Sequence, residues 1–143
     1  MAVVSTLSNH YKRNLISGES PIGGHTYKCA LMNTTFVFDR DTHATFADVL
    51  ANEIATTGGY TLSGEALVVT SLTEDDTNNR ARLAFDNKTF TASGESMAAS
   101  GSAIIYDDTS SDDTVVGCID FGTDYTTPNG SSLQIQSIVL DLS

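Results

Sequence analysis

The chain has no tryptophan, only two prolines and two cysteines, and seven basic side chains against 18 acidic ones. Each shortage excludes something. The formal net charge is −11 and the pI is near 4.3. Nucleic acid is therefore not expected as the main partner, since phosphate binding needs surplus Lys and Arg. An anionic membrane surface is disfavoured on the same ground. Apolar runs such as Ala66–Val69 and Ile138–Leu140 fall far short of the ~20 residues that cross a bilayer. Cys29 and Cys118 lie far apart, and no cluster of metal ligands at zinc spacing accompanies them. They admit one disulfide or two buried free thiols. The opening MAVVSTLSNHYKRN carries no signal-peptide pattern, so free thiols in a reducing cytoplasm are the expectation.

What is present is the composition of one globular domain: 143 residues, 40% hydrophobic and 17% charged. Glycines punctuate short apolar stretches from Gly18 to Gly130 at even intervals, the sequence pattern of an all-β sandwich or barrel. The expected fold is mostly β: a single-domain antiparallel β-sandwich, jelly-roll-like, with one short helix and an N-terminal arm. The arm is expected over residues 1–17 and the sandwich over 18–143.

Along the chain, residues 6–17 read as a short helical or irregular arm with Tyr11, Leu15 and Ile16 as a small apolar patch. Residues 25–32 alternate as a strand with Tyr27, Cys29 and Leu31 on one face. Residues 44–54 have the strongest helical spacing, with Phe46, Val49, Leu50 and Ile54 in phase and Thr42 or Thr45 as cap. Further strands are expected at 60–70, 80–86, 88–92, 102–106, 114–121 and 133–142. In 80–86, Ala81, Leu83 and Phe85 face one way and Arg80 and Arg82 the other. In the last strand the apolar phase slips near Ser137, which predicts a bulge or a change of face. Pro128-Asn129-Gly130 predicts a turn, and Pro21 lies in the loop SPIGG, outside every expected strand. Phe46, Leu50, Leu83, Phe85, Ile104, Ile119 and Ile135 are the expected core.

Catalytic patterns are sparse. His10, His25 and His43 stand in no pattern with a nucleophile or second ligand. The segment SGES occurs at 17–20 and 93–96 and reads as a turn rather than a nucleophile elbow. Glu74-Asp75-Asp76 and Asp107-Asp108 with Asp112-Asp113 are acidic loop clusters; a calcium site and a solvated acidic loop are the two readings. Neither matches a spaced ligand loop, and no metal or other cofactor is expected. Paired carboxylates also serve glycoside hydrolysis, a third and weaker possibility.

Charge is distributed unevenly. Residues 1–40 carry Lys12, Arg13, Lys28 and Arg40 against Glu19 and Asp39, while residues 41–143 carry three basic and 16 acidic groups. A net-positive arm on an acidic body is suited to docking on an acidic partner surface; the plain alternative is that Lys12-Arg13 merely ends a solvated terminus. For docking, Tyr11, Lys12, Arg13 and Leu15 are the candidate residues.

An ordered set of motifs runs through the chain: Asn14-Leu15-Ile16-Ser17-Gly18, Tyr27-Lys28-Cys29-Ala30-Leu31-Met32, Phe46-Ala47-Asp48-Val49 with Glu53, and Gly58-Gly59-Tyr60-Thr61. It continues with Ala103-Ile104-Ile105-Tyr106-Asp107-Asp108-Thr109, Gly117-Cys118-Ile119-Asp120-Phe121-Gly122 and Asn129-Gly130. In this order the set resembles small structural proteins of tailed bacteriophages, although the chain is shorter than their common form at Gly58-Gly59-Tyr60. The resemblance implies a virion component and not an enzyme. Among such components it implies a head decoration, or capsid cement, protein on the capsid surface. Its expected partners are the major capsid protein and itself, as a homotrimer. The alternative is a tail, baseplate or fibre component that binds a host receptor or glycan through loop-tip Tyr and Asp, such as Tyr106 with Asp107-Asp108 or Tyr125 with Asp124.

Overall fold

The computed structural model describes residues 6–19 and 24–143; the Pro21 loop and the first five residues of the expected arm lie outside them. The elements in order are β1 (Thr6–Leu7), α1 (Asn9–Ser17), β2 (Tyr27–Met32), α2 (Phe46–Val49), β3 (Glu65–Leu67), β4 (Val69–Asp75) and β5 (Arg80–Phe85). There follow β6 (Lys88–Thr91), β7 (Met97–Asp107), β8 (Val115–Thr127), β9 (Ser132–Ile135) and β10 (Val139–Leu142). The fold is mostly β and its sheets are antiparallel, in the manner of a sandwich. A five-stranded sheet runs β1-β8-β7-β2-β3, a three-stranded sheet β10-β5-β4, and β6 pairs with β9.

The centre of the five-stranded sheet, at β2, the end of β7 and the start of β8, is buried on both faces. On one face Tyr27, Cys29 and Leu31 of β2 and Ala103 and Ile105 of β7 join Leu83, Phe85, Phe90, Ile135 and Leu140 from the other sheets. On the opposite face Ala30, Met32, Ile104, Tyr106 and Cys118 pack with Phe46 and Val49 of α2. Two buried faces explain why the end of β7, from Ala103 to Tyr106, and the start of β8 are near-continuous apolar runs. Phe46 stacks on Tyr106 with ring centroids 4.2 Å apart. Gly64 lets the chain cross β2 closely: a Cβ there would lie 2.0 Å from the carbonyl oxygen of Cys29, a contact no other residue tolerates.

Several expected elements take a different form. The helix over 44–54 shrinks to four residues. Thr45 and Asp48 make the capping box that starts it. Leu50–Asn52 then tighten into a 3-10 turn. There β2 captures the backbone: Ile54 N–H bonds to the Leu31 carbonyl and Asn33 N–H to that of Asn52. Ile54 is thereby buried while Leu50 is 48% exposed, so Leu50 leaves the expected core; the other six residues are buried. The run Ala66–Val69 is split between two sheets, and only Leu67 is buried. The chain breaks at Ser137, whose φ is +53°. On either side β9 pairs with β6 and β10 with β5, so the slip in phase marks a change of partner as well as of face. Ser131 N–H bonds to the Pro128 carbonyl in the expected turn.

Candidate interaction surface

Residues 6–17, expected as an arm, are built into the domain. Thr6 and Leu7 pair with Cys118 and Gly117 of β8, and α1 follows. Its spacing turns Tyr11 and Asn14 inward. Tyr11 is fully buried, its hydroxyl beside that of Tyr27, and burial drives its pKa up. Asn14 Nδ2 donates to Thr114 Oγ1 at 3.0 Å, and Leu15 packs against the core. Of the four expected docking residues, Tyr11 is thus closed to a partner and Leu15 largely so. Lys12 is half-buried, and Arg13 is exposed and paired with Glu19 at 2.7 Å. The outermost apolar residue of this helix is Ile16, which is 90% exposed.

The histidines and acidic loops hold the fold together. His10 Nε2 meets Asp112 Oδ2 at 2.8 Å, and His25 Nδ1 meets the fully buried Asp107 at 2.6 Å. Asp107 also accepts from the backbone N–H groups of Thr109 and Ser110. These pairs tie α1 and the entry to β2 onto the 107–114 turn. His43 stacks on Phe36 and accepts from the Asp39 N–H. Burial works against the charge of Asp112, but hydrogen bonds from Thr114 and His10 prevail and its pKa falls. Lys28 pairs with Asp108. At the β4–β5 tip Asp75 takes hydrogen bonds from Asn78 and Arg80, which hold its carboxyl below its usual range. Among the described residues no group of three or more His, Cys, Asp or Glu could hold a metal ion. Both cysteines are buried thiols outside any disulfide, and burial pushes each up to about 12.

Two surface features were not anticipated. The first is a cleft of about 520 Å³ over an irregular part of the β7–β8 pair. Ser100 pairs with Tyr125 but Ser102 with Asp120, so β8 carries extra residues here, as bulged strands do where they re-aim side chains. Asp120 accepts from the Gly122 N–H at 2.8 Å. Asp124 folds over Gly101, where a Cβ would come within 2.7 Å of its Oδ1. Phe36 and Phe38 form an aromatic wall, and Thr6, Thr34 and Thr123 add hydroxyls. The cleft offers hydrogen-bond acceptors beside an apolar face. Of the loop-tip pairs expected for a receptor binder, Tyr106 is buried, donating to the Ser63 carbonyl, whereas Asp124 lines this cleft and Tyr125 is exposed.

The second feature is β4. It forms an edge of the three-stranded sheet, and six of its seven residues are exposed. The sequence sign of this is its polarity, VTSLTED, with only Val69 and Leu72 apolar. No family model, no curated protein and no solved structure matches this chain.

Proposed function

We propose that this chain is a structural virion protein that decorates and stabilises a capsid by bridging neighbouring major capsid protein subunits. The observation that carries the proposal is where the reactive side chains are used. His10, His25, Asp107 and Asp112 form the clamps that hold α1 and β2 to the 107–114 turn. They serve rigidity, which is what a bridging module requires. The motifs behind the phage resemblance support the same reading, since three of them build β2, β7 and β8, adjacent strands of the central sheet. Action would be interfacial, through many weak identical contacts summed over a shell. A second reading, a tail or baseplate component binding a glycan, is favoured by the cleft with Phe36, Phe38, Asp120 and Asp124.

Immunogold electron microscopy of intact virions with antibody to the recombinant chain tests the proposal. Gold over the whole head supports decoration. Gold confined to the tail, or none on the particle, overturns it; in the tail case, Asp124→Asn is the first variant for glycan-binding assays.

A further inference from the structure

The cleft over the β7–β8 irregularity has a floor, a wall and charge of one sign. Ser102 pairs with Asp120, and Thr6 with Cys118. Partners across a ladder share a face, and Cys118 and Asp120 are two apart on one strand. Those four side chains therefore form one floor, and all four residues line the cleft. Phe36 and Phe38 are its wall. His43 stacks on both rings, at centroid distances of 5.3 and 5.7 Å, which holds the wall in place. Asp120 and Asp124 are the charged lining residues; no Lys, Arg or His lines the cleft. Among the described residues the ion pairs use other carboxylates. Asp120 is set by the Gly122 N–H, and Asp124 by the space that Gly101 leaves for its Oδ1. In the floor, Ser102 is only 6% exposed, and its hydroxyl has no oxygen or nitrogen partner. Its polar neighbour is the Cys118 thiol, a weak hydrogen-bonding group. Buried hydroxyls are normally satisfied, so this one marks a place for a polar group from outside.

We infer that the cleft receives the guanidinium of an arginine presented by an extended segment of a partner protein. The chemistry selects this occupant. A guanidinium is planar, always charged and weakly hydrated. It stacks on an aromatic face while its N–H groups fork onto carboxylates. A lysine ammonium would meet the carboxylates without the stacking. A neutral sugar would find acceptors and rings here, but it would leave both negative charges uncompensated. At about 520 Å³ the cleft is larger than one guanidinium, with room for the residues on either side of the arginine. A free amino acid would bring its own carboxylate against Asp120 and Asp124. The basic arm expected to meet an acidic partner is thus replaced by an acidic cleft that meets a basic one. The inference stands whether or not the protein is a virion component, and it competes with the glycan reading of the same cleft.

A heteronuclear NMR titration of the isotope-labelled full chain with acetyl-Gly-Arg-Gly-amide tests it. Amides of residues 34–38, 101–102 and 118–124 should shift together and saturate, with a Kd on the order of 1 mM for a single side chain, weakening as NaCl rises. The same peptide with citrulline, matched in shape but uncharged, should bind at least about tenfold more weakly. The lysine peptide should bind about threefold more weakly, and so should free arginine, about threefold. Methyl glucoside should leave these amides unmoved. Asp124→Asn should weaken peptide binding about fivefold. Glu95→Gln makes the same charge change at an exposed site outside the cleft and should alter binding by less than about twofold. Several results would each overturn the inference. They are no saturable shift up to about 20 mM peptide, equal binding of the citrulline or lysine peptide, free arginine or glucoside binding as tightly as the arginine peptide, and equal losses in the two variants.

Discussion

In β2 and β7 both faces of the strand are buried; in β4 neither is. The two regions pair their strands in the same antiparallel way and differ in what lies above and below them. The five-stranded sheet has β5, β10, β6 and β9 packed on one side and α2 on the other. The three-stranded sheet is covered where β5 and β10 cross the core, and its coverage stops at β4. Burial, not hydrogen-bonded pairing, therefore decides where stability resides.

Graded substitutions sharpen that contrast. Ile105→Ala, at the centre of the doubly covered sheet, should lower unfolding free energy by about 4 kcal/mol in urea titrations. Tyr11→Ala should cost about 3 kcal/mol, because α1 is a wall of the core rather than a tether. A loss below about 1 kcal/mol would return Tyr11 to the surface role expected from sequence. On the outer side of the three-stranded sheet, Arg80 and Arg82 both reach Asp141. Asp141→Asn should cost about 1 kcal/mol at neutral pH. The smallest effect falls on β4: Leu72→Ala, at a half-exposed side chain, should change stability by less than about 1 kcal/mol in the same titrations.

Acid and base act oppositely on two carboxyls. Hydrogen bonds from Arg82 hold the Asp141 carboxyl below its ordinary 3.8. Its contribution is complete above that value and is lost as pH falls through the folded pKa. Burial raises Glu53 above its ordinary 4.5, against the hydrogen bond donated by the Tyr60 hydroxyl. Its contribution is complete below 4.5 and is lost as pH rises through the folded value. Glu53→Gln should therefore gain in melting temperature relative to the parent from acid toward neutral pH. Asp141→Asn should fall progressively behind the parent over the same rise. Parallel curves for the two variants would show that neither carboxyl is perturbed as described.

Much of the scaffold was legible in the residues. Period-two alternation placed β2 and β5, and the phase slip at Ser137 located the switch between β9 and β10. Local pattern misled where the backbone was claimed from afar. Helical spacing over 44–54 was overridden when β2 took the hydrogen bonds of residues 52–54. Lys12 and Arg13 read as a free arm because the inward turn of Tyr11 depends on contacts with Tyr27, distant in sequence. The cleft was illegible for a similar reason: Asp120 and Asp124 converge only through a bulge opposite Gly101.

The sequence by itself determined a mostly β chain, acidic, with a break in apolar phase near Ser137 and a turn at Pro128, since periodicity, charge and turn chemistry are local properties. Only the tertiary structure decided which apolar runs are covered. Val68, Val69 and Leu72 are as hydrophobic as many core residues, and they stay exposed because burial depends on what the rest of the chain places above them.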